Sequence, residues 1–268
     1  MIFSNEQMER YSRHIILKEL GVKGQQKLMA GKVLIIGAGG LGSPAALYLA
    51  AAGVGTIGIA DNDTVDLSNL QRQIIHTSAD LGKPKVVSAQ ETMNAMNGEV
   101  AVIPYREKID SANIKSIIND KNYDFILDCT DNFPAKFLIN DACVMLKKPF
   151  SHGGIIRFQG QLLTYVPGRG PCYRCLFQSP PPAGAVPSCR EAGVLGVLAG
   201  VIGTLQATEA IKYLLGLEGL LTGWLLSYNA LTMDFRKVKV PVNPRCPVCG
   251  GEASITTLVD YEQAVCNL

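Results

Sequence analysis

Four sets of residues in this chain have the types and spacing that support chemistry. The first is Gly37-Ala38-Gly39-Gly40-Leu41-Gly42, a Gly-x-Gly-x-x-Gly loop after the apolar run Val33-Leu34-Ile35-Ile36. Glycines let a backbone turn tightly and approach a phosphate, and a following helix directs free N–H groups and a positive dipole end at the anion. Asp61, about 20 residues on, is placed to accept hydrogen bonds from ribose hydroxyls. The second set is Cys172-Tyr173-Arg174-Cys175 with Cys246-Pro247-Val248-Cys249. Two such pairs supply four thiolates, which close a tetrahedral and therefore structural zinc site. A lone redox Cys-x-x-Cys or buried thiols are the alternatives. The third is Asp63 with Ser68-Asn69-Leu70-Gln71-Arg72-Gln73, polar residues sited where nucleotide phosphates extend, and Lys85 in the first turn of the next predicted helix. A lysine there opposes the helix dipole, which makes sense if it faces an anion; the alternative is a solvated surface lysine. The fourth is Asp128-Cys129-Thr130-Asp131-Asn132, which ends a predicted strand. Asp131 is placed to hold Mg²⁺ beside phosphates, or else belongs to an ordinary Asp–Asn turn.

Positioning these groups requires alternating strands and helices. Ser4 and Gln7 have capping-box spacing and open a predicted helix through about residue 17, which Gly21 and Gly24 break. Strands are predicted at 33–36, 56–60, 100–104 and 124–128, and helices at 43–52, from Pro84 onward, and at 133–146. On the helix after Pro84, Val86, Ala89, Met93 and Met96 form the apolar face. This pattern predicts an α/β fold, a Rossmann-like doubly wound sheet over about residues 1–150. Strands at 161–166, 224–228 and 235–240 continue it into a mixed sheet. The apolar stretch 193–205 is too short to span a membrane and reads as a buried helix. Residues 179–187, rich in proline, read as a mobile loop. No clean linker divides the chain, which is expected to be a single unit.

Composition narrows the function. With 268 residues, 47% hydrophobic, the chain can bury a large core, and 25 Lys+Arg against 23 Asp+Glu give no reason to expect nucleic acid or a membrane as partner. The polar N-terminus is no signal peptide, so a cytoplasmic location is expected, where eight cysteines point to metal or chemistry and not to disulfides. His14, His76 and His152 are scattered and read as structural groups, and Cys129, Cys143 and Cys266 as packing or incidental.

These motifs, with Arg13 in Tyr11-Ser12-Arg13-His14-Ile15-Ile16-Leu17 and with Glu191-Ala192-Gly193-Val194, resemble the MoeB/ThiF/HesA family, bacterial relatives of ubiquitin-activating enzymes. The resemblance runs from about residue 6 to 250. It implies an enzyme that takes Mg·ATP and adenylates the C-terminal glycine of a small ubiquitin-like sulfur-carrier protein ending in Gly-Gly, releasing pyrophosphate. It implies that Asp61 holds the ribose, that the Gly39, Gly40 and Gly42 backbone lies along the phosphates, and that Asn69, Arg72 and Lys85 contact the triphosphate. Gln73 and Asp63 shape that pocket and Asp131 binds magnesium. Arg13 reaches the neighbouring subunit's site, which implies a homodimer, and Cys189 is a candidate nucleophile toward the acyl-adenylate or a persulfide. About residues 151–250 form the zinc-bearing half that docks the carrier, and 251–268 a tail of unassigned role. No rhodanese domain follows the second Cys-x-x-Cys, so a separate sulfur donor protein is expected. Molybdopterin, thiamine and related thiolation pathways share this chemistry. A NAD-dependent oxidoreductase explains the glycine loop and Asp61 but not Arg72, Lys85, Asp131 or the cysteine pairs. A non-catalytic nucleotide-binding scaffold is disfavoured by the same three charged residues.

Overall fold

The computed structural model describes residues 3–182 and 192–261. Helices α1 (Asn5–Arg10), α2 (Ser12–Ile15) and α3 (Gly21–Ala30) precede the first strand, β1 (Lys32–Ile36). Then follow α4 (Gly42–Ala51), β2 (Thr56–Ala60), α5 (Lys85–Met96), β3 (Ala101–Tyr105), α6 (Ile114–Asp120), β4 (Phe125–Asp128) and α7 (Phe133–Met145). The second half holds β5 (Phe150–Ile156), β6 (Gln159–Tyr165), a single turn α8 (Tyr173–Leu176), the long helix α9 (Gly196–Leu215), β7 (Trp224–Asn229) and β8 (Asp234–Lys239). One mixed sheet of eight strands runs β3-β2-β1-β4-β5-β6-β7-β8. Its first five strands are parallel, and β5 through β8 pair antiparallel. The order reverses at β1, so a crevice opens between the loops after β1 and β4, where open α/β sheets bind ligands.

Parallel strands covered on both faces read as apolar runs, and Val33 to Ile36 is buried throughout. One apolar cluster lies under α4, α5 and α9, and the other under α6 and α7. Pro104, which lacks an amide donor, is tolerated because β3 is an edge strand. The lysines of β8 guard the opposite edge.

Several expectations are corrected. The capping box of Ser4 and Gln7 is present, but the helix it opens stops at Tyr11. Tyr11 leaves the helix because its ring is buried against Gly53 and its hydroxyl accepts from Asn97 Nδ2 at 2.9 Å. Gly21 and Gly24 do not break structure: Gly21 opens α3, and Gly24 sits inside it, where a side chain would crowd Leu20 and Leu215. Met93 is core, but Met96 is exposed at the end of α5. Strand β5 was not expected, because Gly153-Gly154 masks its pattern; Gly153 is there since Gln206 of α9 packs onto its backbone. Helix α6 was likewise not expected. Strand β8 alternates as predicted, yet it is exposed on both faces.

Candidate functional site

At the carboxyl ends of β1, β2 and β4 lies a cavity of ≈1260 Å³. Gly37, Gly39 and Gly40 line it, together with Asp61, Asp63, Arg72, Gln73, Lys85 and Asp131. Helix α4 starts at its floor with no side-chain cap and no acidic residue in the first turn, so nothing from the chain competes for its dipole. Two glycines of the loop, Gly39 and Gly42, differ in purpose. A Cβ on Gly39 would meet only the Gln73 amide, at 3.6 Å, and would project into the cavity. A Cβ on Gly42 would lie 1.9 Å from the Gly37 carbonyl oxygen. Gly42, expected along the phosphates, instead lets the helix close on the loop and is absent from the cavity wall.

The Asp61 carboxylate receives one backbone amide on each oxygen, Ala38 at 2.8 Å and Asp63 at 2.9 Å, and each oxygen keeps a further lone pair. His76 is structural, as expected. It donates from Nε2 to the Ala38 carbonyl and accepts from the Ser88 hydroxyl at Nδ1, so it braces the loop from below.

The basic residues of the cavity wall are held by the chain itself. Lys85 is buried and its ammonium donates to Asp63 at 3.0 Å, which answers the open question about it: it is a lysine of the cavity and not of the surface. Arg72 is half-buried and donates to the Ser68 carbonyl at 3.1 Å. Gln73 is buried, its amide nitrogen faces Gly39, and its Oε1 has no hydrogen-bond partner among the described residues. Asn69 is half-buried. It lies off the cavity wall, closes a capping box with Asp66, and accepts the Arg72 and Gln73 amides on its carbonyl. Asn69 therefore sets the aim of its neighbours. Asp131 is exposed at the cavity mouth. Asp63 lines the same cavity, and carboxylate oxygens are hard donors of the kind magnesium takes. Arg13, on α2, is exposed and outside this cavity. Cys189 and Glu191 lie outside the described residues.

Beneath the mouth is a polar cluster that residue spacing did not reveal. Asp128 is fully buried; it accepts from His152 Nδ1 at 2.7 Å and from the Thr130 amide and hydroxyl, and Lys136 Nζ stands 3.6 Å away. Burial alone would raise the Asp128 carboxyl, but the Lys136 charge and the His152 hydrogen bond overcome it and hold it at about 2. Burial, reinforced by Lys136, pushes His152 below its ordinary value, so at neutral pH it is an uncharged donor. This cluster sets the Cys129-Thr130-Asp131 loop. The aspartate ending a buried strand was the available signal; the pairing with residue 152 was not.

The four cysteines converge as expected. Their Sγ atoms all lie within 4.8 Å of one another, with Cys172–Cys246 at 3.6 Å and Cys175–Cys249 at 3.4 Å. A tetrahedral zinc with bonds of about 2.3 Å needs sulfurs about 3.8 Å apart. The Asn243 amide donates to Cys175 Sγ at 3.4 Å, and Gly250 is required because a Cβ there would lie 2.6 Å from the Cys246 and Pro244 carbonyl oxygens. Arg174, between two of the cysteines, is buried in a two-pronged pair with Asp141 of α7, at 2.7 and 2.8 Å, and lies over the Phe137 ring.

Comparison with known proteins agrees with this geometry. The ThiF family model matches residues 11–248. The sulfur carrier protein adenylyltransferase of Thermus thermophilus is 48% identical, with 100% of both chains covered. The adenylyltransferase and sulfurtransferase MOCS3 of Anopheles gambiae is 47% identical over 97% of this chain, which spans 59% of that longer protein. Among solved structures, E. coli MccB has a TM-score of 0.81, covering 97% of this chain and 76% of that one, at 23% identity, a likeness of fold. Neither curated relative supports an oxidoreductase reading.

Proposed function

The chain belongs to the ThiF family, and from that premise we propose that it adenylates the C-terminal glycine of a small ubiquitin-like sulfur-carrier protein. A carboxylate oxygen of the carrier's Gly-Gly end attacks the α-phosphorus of ATP, the bond to the β-phosphate oxygen breaks, and pyrophosphate leaves with the electron pair. The observation that carries this reading is the convergence of Gly39, Gly40, Asp61, Arg72, Lys85 and Asp131 on one cavity.

The difficulty of the reaction is electrostatic, because a carboxylate must approach a polyanion in line. Lys85, already oriented by Asp63, and Arg72, aimed by the Ser68 carbonyl, supply fixed positive charge without reorganisation. Asp61 orients the ribose. Asp131 would hold magnesium, which when bound neutralises phosphate charge. The four thiolates would hold zinc in a closed, structural site, because no fifth donor or open position is needed. Arg13, outside its own subunit's cavity, is assigned to the partner's site in a homodimer. Cys189 is assigned to the step after adenylation; an acyl or persulfide adduct trapped on it would support this, and full sulfur transfer by Cys189→Ala would refute it. We take residues 1–268 as one adenylation unit. It serves sulfur transfer for molybdopterin, thiamine or related biosynthesis in the cytoplasm, with sulfur brought by a separate protein. No helix among the described residues is long and apolar enough to cross a membrane.

The test is ATP–pyrophosphate exchange with candidate carriers ending in Gly-Gly. Arg72→Ala and Asp131→Ala should each lower exchange by at least about 10² while thermal melting is unchanged. Near-normal exchange in either folded variant would refute the assignment.

A further inference from the structure

Past the four cysteines the chain turns back across the molecule. The Ile255 amide donates to the Pro247 carbonyl at 2.8 Å, and Leu258 joins the apolar cluster that includes Cys175 and Cys249. The Tyr261 hydroxyl accepts from Arg174 Nη2 at 2.6 Å, and its ring tilts against Phe137. Asp260 takes two hydrogen bonds from Ser111, the amide on Oδ1 at 2.8 Å and the hydroxyl on Oδ2 at 2.7 Å. Both Asp260 and Tyr261 line the cavity.

The location of Ser111 gives these contacts a purpose. The loop after β3, Glu107 to Asp110, forms a wall of the same cavity. In a doubly wound sheet the phosphates lie over the loop after β1 and the ribose at the end of β2, which leaves the base on the β3 side. The Glu107–Asp110 wall is therefore the base end, and Ser111 is its far hinge. Asp110 braces the turn from within by accepting the Ala112 and Asn113 amides. Asp260 fastens it from without.

We propose that residues 252–261 form a strap in which Asp260 and Tyr261 are positioning residues for the nucleotide base. The four-cysteine site anchors one end of the strap, and Ser111 receives the other. The inference rests on the ATP reading above. The strap holds the base-end wall in its binding shape, so it acts on the nucleoside part of the ligand and not on the phosphates.

The full-length chain tests this with Ser111→Ala, Asp260→Ala and Asp260→Asn, read by binding of ATP, binding of tripolyphosphate, and exchange kinetics. Asp260→Ala and Ser111→Ala should raise the Kd and KM for ATP about tenfold, lower kcat far less, and leave tripolyphosphate binding unchanged. Asp260→Asn, whose amide oxygen keeps one acceptor, should fall between. Hydrogen exchange at 106–111 should quicken in the variants. An unchanged ATP Kd in folded Asp260→Ala overturns the proposal, as does an equal loss of tripolyphosphate binding, which would make the strap a general support. If the wild-type chain binds ATP but exchanges no pyrophosphate with any carrier, the adenylation reading fails while the effect of Asp260 on ATP binding still stands or falls by itself.

Discussion

Replacing Gly39 and Gly42 separately with alanine divides binding from stability within one loop. At Gly39 the added methyl meets the Gln73 amide at 3.6 Å, an ordinary contact, and otherwise points into the cavity. The fold should accept it within about 1 kcal/mol, since the alanine also restricts the unfolded chain. Its methyl would keep phosphate oxygens from the loop amides, and ATP affinity should fall by about 10²-fold, roughly 2.7 kcal/mol. At Gly42 the methyl would lie 1.9 Å from the Gly37 oxygen, so helix and loop must separate by more than an ångström. Overpacking of that kind costs about 1–3 kcal/mol. With about 2.1 cal/mol/K per residue over 268 residues, unfolding entropy is about 0.56 kcal/mol/K. The upper cost then lowers Tm by about 5 °C. Calorimetric melting and ATP titration measure both quantities on both variants. Wild-type ATP affinity in Gly39→Ala, or a wild-type Tm in Gly42→Ala, would refute the separate purposes assigned here.

Three other outcomes are expected. As pH falls below about 6.5, stability should decline, because His76 and His152 have folded-state values pushed down by burial and the unfolded chain binds the protons they refuse. His152→Asn keeps a donor for Asp128 without titrating, and should flatten the slope by up to about 1.4 kcal/mol per pH unit in denaturant melts; an unchanged slope would contradict a buried neutral His152. Arg174→Met should cost about 3–5 kcal/mol by stranding the Asp141 carboxylate, and adding Asp141→Leu should recover much of it, as a double-mutant cycle would show. Mixing inactive Arg13→Ala and Arg72→Ala chains should restore part of the exchange activity, because one mixed site then has both arginines; no recovery in a confirmed mixed dimer would place Arg13 outside the partner's site.

The placement of the glycine loop, Lys85 and Asp131 around one cavity and the convergence of both cysteine pairs were legible because each is a local pattern with a backbone or coordination requirement. Residue type and short spacing carry that information. What was hidden depends on partners far along the chain. The break at Tyr11 is imposed by Asn97, 86 positions away. Strand β5 is obscured by glycines that exist to admit Gln206. The Asp128–His152 pair joins residues that face each other in register on adjacent strands, and Arg174 is buried only because Asp141 lies beside it. Asn69 and Gly42 were found by motif, but the structural contacts each makes, the amides Asn69 accepts and the close approach Gly42 allows, became visible only from their neighbours in space.

The strap has a consequence for biosynthesis. Asp260 and Ser111 are 149 positions apart, so the wall of a pocket made mostly from the first half of the chain is fastened by residues translated much later. At roughly 5–20 residues per second, β1 to β4 emerge many seconds before their fastener. A nascent chain can thus assemble the parallel sheet and glycine loop early, yet it holds nucleotide firmly only after residue 261 has cleared the ribosome. Tight nucleotide binding is in this way timed to the completion of synthesis, and a chain truncated after the second cysteine pair would bind ATP about tenfold more weakly while keeping most of its turnover.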